Sequence, residues 1–181
     1  MDFRKLKAVI VICTATVAVL GAAAVQSGGK AGAYKMEGAW VGRVVEVPLQ
    51  WSLVFSPDAS GRRASARGAF EVGPPSYFGS TATSDLLIEA EMTGPDTIAF
   101  SAVWYGLSEP SVYGLSADIV FIGVDKGVLT FVAPGKLLGV HYVEYYLPSQ
   151  DADGDGFPDP GQDPVVGPEL LHSVNMRIPA P

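Results

Sequence analysis

Five aspartates fall within thirteen residues near the C-terminus: Asp151, Asp153, Asp155, Asp159 and Asp163, around Gly156, Phe157 and Pro158. Carboxylates at positions 1, 3 and 5 of such a loop converge when the backbone curls, and Gly156 at position 6 permits the sharp turn. Position 7 offers a backbone carbonyl, from Phe157, and position 9 a further oxygen, from Asp159. An all-oxygen set of this kind suits a hard cation taking about six to eight ligands, hence Ca2+. Clustered carboxylates repel one another unless a cation neutralises them. Position 12 is Gln162, with Asp163 one residue later as the remaining oxygen donor. The expected role is structural. A bound ion pins the connection between the last two strands and adds stability by binding only the folded form.

His141 and His172 are the other side chains suited to proton transfer near neutral pH. His141 alternates with Tyr145 in a strand-like stretch, and the same alternation puts His172 on an apolar face with Val174. Both read as core or rim residues; a small barrel enzyme using His141 or His172 is an alternative. No Gly-x-Ser-x-Gly elbow, His-Glu-x-x-His helix or phosphate-cradling glycine loop occurs. No catalytic residue and no organic cofactor is therefore expected. A formal charge of −7, from 12 basic and 19 acidic residues, argues against a nucleic-acid partner. The small basic cluster Arg62, Arg63 and Arg67 reads as balance for local acids.

The elements that must position these groups are strands. Leu49, Trp51, Leu53 and Phe55 alternate with polar residues, and the turn Pro57 to Gly61 follows. Ala64, Ala66, Gly68, Phe70 and Val72 then share one face, the small inward residues that a tapering barrel accommodates. Leu86 to Met92 and Ile98 to Trp104 flank the turn Gly94-Pro95-Asp96. Val120 to Val124 and Val128 to Val132 flank Asp125-Lys126-Gly127, which reads as a three-residue hairpin loop. Val140 to Leu147 follows, and the last segment sets Leu170, Val174, Met176 and Ile178 against Ser173, Asn175 and Arg177. With Trp40 to Val47 at the start, about nine strands and no helix are expected. The fold class is all-β: one antiparallel barrel of about eight or nine strands, or alternatively a β-sandwich. Two longer connections, Gly73 to Ser84 and Gly106 to Ser116, are placed to cover a ligand at a barrel mouth, or are ordinary surface loops.

Two resemblances accompany this reading. Glu37-Gly38-Ala39-Trp40, followed by a Trp-bearing strand, resembles the Gly-x-Trp opening of lipocalin-like (calycin) barrels. That resemblance implies that Trp40 plugs the closed end and that Arg177, on a late strand, packs over it. It also implies a small hydrophobic ligand inside. The 151–159 loop resembles the calcium loops of EF-hands, and more closely those of thrombospondin type 3 repeats. This implies ligation by Asp151, Asp153, Asp155 and Asp159, with no flanking helices and a single copy here.

At the N-terminus, Arg4, Lys5 and Lys7 precede an uncharged run, Ala8 to Val25, with Ala22-Ala23-Ala24 as small residues for cleavage. Residues 1–24 read as a signal peptide or an uncleaved anchor, residues 25–36 as a flexible tether, and residues 37–181 as the barrel domain. Removing 1–24 takes away Asp2, Arg4, Lys5 and Lys7, leaving 18 acidic and 9 basic residues and a charge of about −9. The only cysteine, Cys13, goes with it, so no disulfide is available. The expected protein is a secreted, periplasmic or cell-surface barrel that binds a small hydrophobic ligand and carries a structural calcium loop. No membrane span is expected in the mature form unless the N-terminal segment stays uncleaved. A calcium-stabilised structural or adhesive envelope protein is the main alternative.

Overall fold

A computed structural model describes residues 36–72, 77–109 and 118–179; the signal peptide expected at 1–24, and all of the expected tether except Met36, lie outside them. The described residues form nine strands: β1 (Gly38–Val44), β2 (Gln50–Pro57), β3 (Arg63–Val72), β4 (Ala82–Thr83), β5 (Leu86–Met92), β6 (Thr97–Leu107), β7 (Ile119–Ala133), β8 (Lys136–Tyr146) and β9 (Val166–Arg177). Every pairing is antiparallel, and β6 pairs with β7 as well as with β5. Eight strands therefore close an up-and-down barrel in the order β1-β2-β3-β5-β6-β7-β8-β9, with β9 returning to β1. The two-residue β4 lies outside the circle, against the far end of β6. Closure removes the unpaired edges that an open sheet would present. Among the described residues, no helix is long and apolar enough to cross a membrane.

Alternation puts one side chain in two inside. On β2, Trp51, Leu53 and Phe55 are buried between exposed or half-buried neighbours. Facing them are Ala64 and Ala66 from β3, Leu86, Ile88 and Ala90 from β5, and Ile98, Ala102 and Trp104 from β6. Eight strands leave an interior only wide enough to fill with side chains or to hold one small ligand.

The two ends of the barrel differ. Tight turns gather at one of them and are stitched together: Arg177 N–H donates to the Gly135 carbonyl, Phe131 N–H to that of Asp96, and Met92 N–H to that of Arg62, each at 2.8 Å. Trp40 is fully buried there, its indole donating to the Met36 carbonyl at 2.7 Å and its ring edge-on to Phe131. Arg177 is its register partner on β9, and the guanidinium donates to the Glu37 carbonyl. The longer connections leave from the opposite end. One of them, residues 147–165, folds back over the outside of the barrel. There Phe157 and Tyr105 join Val103, Ile122, Val124 and Tyr146 in a second, smaller apolar cluster.

Three expectations are corrected. Asp125-Lys126-Gly127 is not a hairpin loop. β7 runs unbroken through it, paired with β6 from Thr97↔Thr130 to Leu107↔Ile119 and with β8 from Ile122↔Tyr146 to Ala133↔Lys136. Two flanking strands already fix this backbone, so the turn chemistry of Asp and Gly is overridden. The phase of β9 is also opposite to the one expected: Leu171, Ser173 and Asn175 are buried, whereas Leu170, Met176 and Ile178 are about half exposed. His172 moves with that phase to the outer surface, where its backbone and ring nitrogens meet the Glu46 carboxylate.

Candidate functional site

The site lies inside, where β7 brings a charged residue into an apolar barrel. Alternation along β7 points Phe121, Gly123, Asp125, Gly127, Leu129 and Phe131 inward. Two glycines in that row are forced by close approach rather than by backbone conformation. A Cβ on Gly127 would stand 2.4 Å from the Cβ of His141 and 2.4 Å from the Val140 carbonyl oxygen. One on Gly123 would stand 2.2 Å from Cε2 of Trp104. Any larger residue displaces one ring or the other, so β7 is thinned where His141 and Trp104 lie across it.

Between these rings is a cavity of about 40 Å³, lined mainly by aromatic and aliphatic side chains such as Trp51, Phe100, Trp104 and Tyr145. Its polar groups come from Asp125, His141, Ser173 and Asn175 and from the ring N–H or O–H of Trp51, Trp104 and Tyr145. His141 is 2% exposed, and its Nδ1 lies 2.9 Å from both carboxylate oxygens of Asp125, whose side chain is 14% exposed. Its ring meets Trp51 edge-on and Phe100 at a tilt. On the opposite wall the Trp51 indole donates to Asn175 Oδ1 at 3.2 Å, and Asn175 Nδ2 donates to Ser173 Oγ at 3.3 Å. Burial pushes the Asp125 carboxyl up from its ordinary range, and the hydrogen bond from His141 opposes this only in part.

Among the described residues, two buried side-chain polar atoms have no hydrogen-bond partner, Nε2 of His141 and Nε1 of Trp104, and both residues line the cavity. Trp104 is 3% exposed, so solvent does not serve its N–H in place of a protein acceptor. An unmade hydrogen bond at a buried donor or acceptor costs about 1–3 kcal/mol. Two in one small cavity mark it as a place shaped for something other than packing.

The acidic loop forms a separate centre outside the barrel wall. Asp151, Asp153 and Asp159 each bring a carboxylate oxygen to within 4.8 Å of the others. Asp151 also accepts the backbone N–H groups of Asp155 and Gly156, and Asp159 accepts that of Ala152. Asp155 is outside this triad; its carboxylate accepts the Phe157 N–H at 3.0 Å. Phe157 sends its ring into the outer apolar cluster, and the Asp163 carbonyl accepts from the Gln150 side chain. Tyr105 ties the loop to β6 by donating to the Gly156 carbonyl at 3.0 Å. Burial raises the Tyr105 hydroxyl above its ordinary value, and the charges of Asp151 and Asp155 raise it further.

Of the two histidines, then, His141 acquires a buried carboxylate partner and His172 an exposed one. The N–H groups of His172, backbone first and ring second, hold the Glu46 carboxyl below its ordinary value. The sequence reading missed Asp125 and Trp104 as site residues. The available signal was the β-branched residue at every second position from Val120 to Val132, interrupted only by Lys126, which carries one strand through Asp125 and leaves Asp125 in the inward phase.

Fold and cavity together define a closed eight-strand antiparallel barrel with a narrow, partly polar interior slot. No family model matches the chain, and no curated protein matches it. Among solved structures, that of EF1p2_mFAP2b bound to DFHBI is similar in backbone course, at 16% identity and a TM-score of 0.46, over 83% of this chain and all of that one. A redesigned beta barrel, b11L5F_LGL, is similar at 13% identity and a TM-score of 0.46, over 85% of this chain and all of that one.

Proposed function

We propose that the protein is an exported barrel that binds one small, largely apolar molecule in its interior. The observation that carries this is the pair of unpartnered buried nitrogens, His141 Nε2 and Trp104 Nε1, in a single aromatic-lined cavity. Volume then limits the ligand. Pockets for drug-sized molecules measure about 300–1,000 Å³, against about 40 Å³ here. That favours a compact solute over an extended chain. For a ligand of about four non-hydrogen atoms, a ceiling near 1.5 kcal/mol per atom sets the affinity at tens of micromolar at the tightest.

The test is an NMR titration of the isotope-labelled chain with xenon and with neutral solutes of about three to five non-hydrogen atoms. Saturable shifts centred on Trp104, His141 and Leu129 are expected. Shifts confined to surface residues, or none, refute the reading.

We further propose that the acidic loop holds a structural calcium ion. Oxygens sharing one calcium, at about 2.3–2.6 Å from it, lie no more than about 5 Å apart, which the triad of Asp151, Asp153 and Asp159 meets. The donors are all hard oxygens, as calcium prefers. These three residues would hold the ion, and it would supply the positive charge that lets the carboxylates stay close.

A further inference from the structure

The chemistry of the interior ligand follows from which of the two unpartnered nitrogens donate. Trp104 Nε1 carries a hydrogen in every state, so it is a donor. His141 Nε2 depends on the proton shared with Asp125, and three arrangements are open to the pair. If both are charged, the imidazolium bears hydrogens on both nitrogens. If both are neutral, the carboxyl donates its proton to Nδ1 and the ring hydrogen sits on Nε2. Only an ionised Asp125 beside a neutral ring leaves a lone pair at Nε2, and that arrangement buries a net negative charge.

No charged side chain in the cavity wall offsets such a charge, and the backbone N–H of Lys126 does so only in part. The lining contains no Lys or Arg. Lys126, next along β7, faces outward and pairs with Glu144 at 3.0 Å. Arg177, in the inward phase of β9, is engaged at the closed end with the Glu37 carbonyl. A buried uncompensated charge is far more costly than either net-neutral form, and the raised carboxyl of Asp125 is the same effect seen from its own side. Both favoured forms make Nε2 an N–H donor.

We infer that the slot selects a small neutral molecule whose hydrogen-bonding atoms are acceptors only, a carbonyl compound with a short apolar body, its oxygen taking the His141 Nε2–H and the Trp104 N–H standing as a second donor. The inference rests on the interior being a ligand site, as proposed above. It disfavours two other chemistries. An anion would add a negative charge to a slot whose facing cation, the imidazolium of the charged form, is already paired with Asp125. A hydroxyl or amine offers its hydrogen to neither of the two unpartnered nitrogens, both of them donors, and would have to share oxygens already engaged on Asp125, Ser173 or Asn175. The neighbouring indole of Trp51 does not compete for the oxygen, because it is spent on Asn175.

The experiment compares acetone with 2-methylpropene, in which a CH2 group replaces the carbonyl oxygen at nearly constant shape, on the full chain by 15N NMR. Acetone is expected to bind about tenfold tighter, the value of about one hydrogen bond in a dry site. It is also expected to shift the His141 Nε2 and Trp104 Nε1 resonances, with His141 Nε2 protonated before acetone is added. Trp104→Phe should weaken acetone severalfold and leave 2-methylpropene unchanged; if that variant fails to fold, the wild-type ratio decides. Equal or tighter binding of 2-methylpropene, or an unprotonated Nε2, overturns the inference and leaves interior binding standing. Absence of saturable binding by either compound overturns both.

Discussion

Replacing His141 by Phe tests the buried pair on which the site depends. The new ring keeps aromatic neighbours, since His141 already packs on Trp51 and Phe100. What is lost is the nitrogen 2.9 Å from both oxygens of Asp125. Removing one partner of a buried pair costs about 3–5 kcal/mol, because the other is left uncompensated. For a domain of this size, 1 kcal/mol moves the melting temperature by about 2–4 °C, so a drop of roughly 10 °C at pH 8 is expected. The sign of the pH dependence follows from Asp125. Its carboxyl is raised in the folded state, so the folded form favours the protonated acid; the associated stability is present below the ordinary carboxyl range and is lost as pH rises through the raised value. The His141→Phe penalty is therefore largest at pH 8 and shrinks toward pH 4. No other carboxyl or imidazole lines the cavity to blur this. The double variant Asp125→Leu with His141→Phe removes both halves and should recover most of the loss, since apolar replacement of a buried pair is often neutral or stabilising. Urea melts of the wild type, His141→Phe, Asp125→Leu and the double variant at pH 8 and pH 4.5 give the coupling directly. A single-variant cost under about 1 kcal/mol at pH 8, or additivity in the double, refutes the reasoning.

Most of the barrel was legible in the sequence for one reason: a strand with core on one side and water on the other alternates. β2, β3 and β5 do so, and Trp51, Leu53, Phe55, Ala64, Ala66, Leu86 and Ile88 are inside as their spacing requires. The places where alternation misled are those nearest the site. Along β7 both faces are covered, since Ile122 and Val124 pack under Phe157 on the outside while Phe121 and Leu129 face in. The pattern there is continuous rather than alternating, and Asp125 and Gly127 imitate a turn. On β9 the rule inverts because Ser173 and Asn175 serve the interior while Leu170 and Met176 face out. Polar residues inside and apolar residues outside made the wrong face look like the core. β4 escaped notice because two residues paired to β6 carry no periodicity. Local rules fail where a protein keeps groups for a purpose other than folding, and here the failures on β7 and β9 border the same cavity. The aspartate loop was legible for the opposite reason: its groups are contiguous in the chain, and no packing is needed to bring Asp151, Asp153 and Asp159 together.

Gly123→Ala should cost about 1–3 kcal/mol as an overpacked core position and push Trp104 into the slot; unchanged interior binding together with an unchanged melting temperature would contradict the packing described. Calcium should raise the melting temperature, by an amount corresponding to about 2.7 kcal/mol at a hundredfold excess over its dissociation constant, and Asp153→Asn should shrink the gain; equal melts in calcium and in chelator exclude the ion. Tyr105 supplies an optical reading of the same loop that does not depend on melting. Its hydroxyl is held up first by burial and then by the charges of Asp151 and Asp155, and the first of these carboxylates belongs to the triad. A bound cation offsets both charges but leaves the burial unchanged. The phenolate should therefore form at lower pH with calcium than with chelator, while still forming above the pH of an ordinary tyrosine. Tyr105→Phe identifies the signal by removing it, and superimposable titrations with and without calcium would show that no cation sits among these carboxylates.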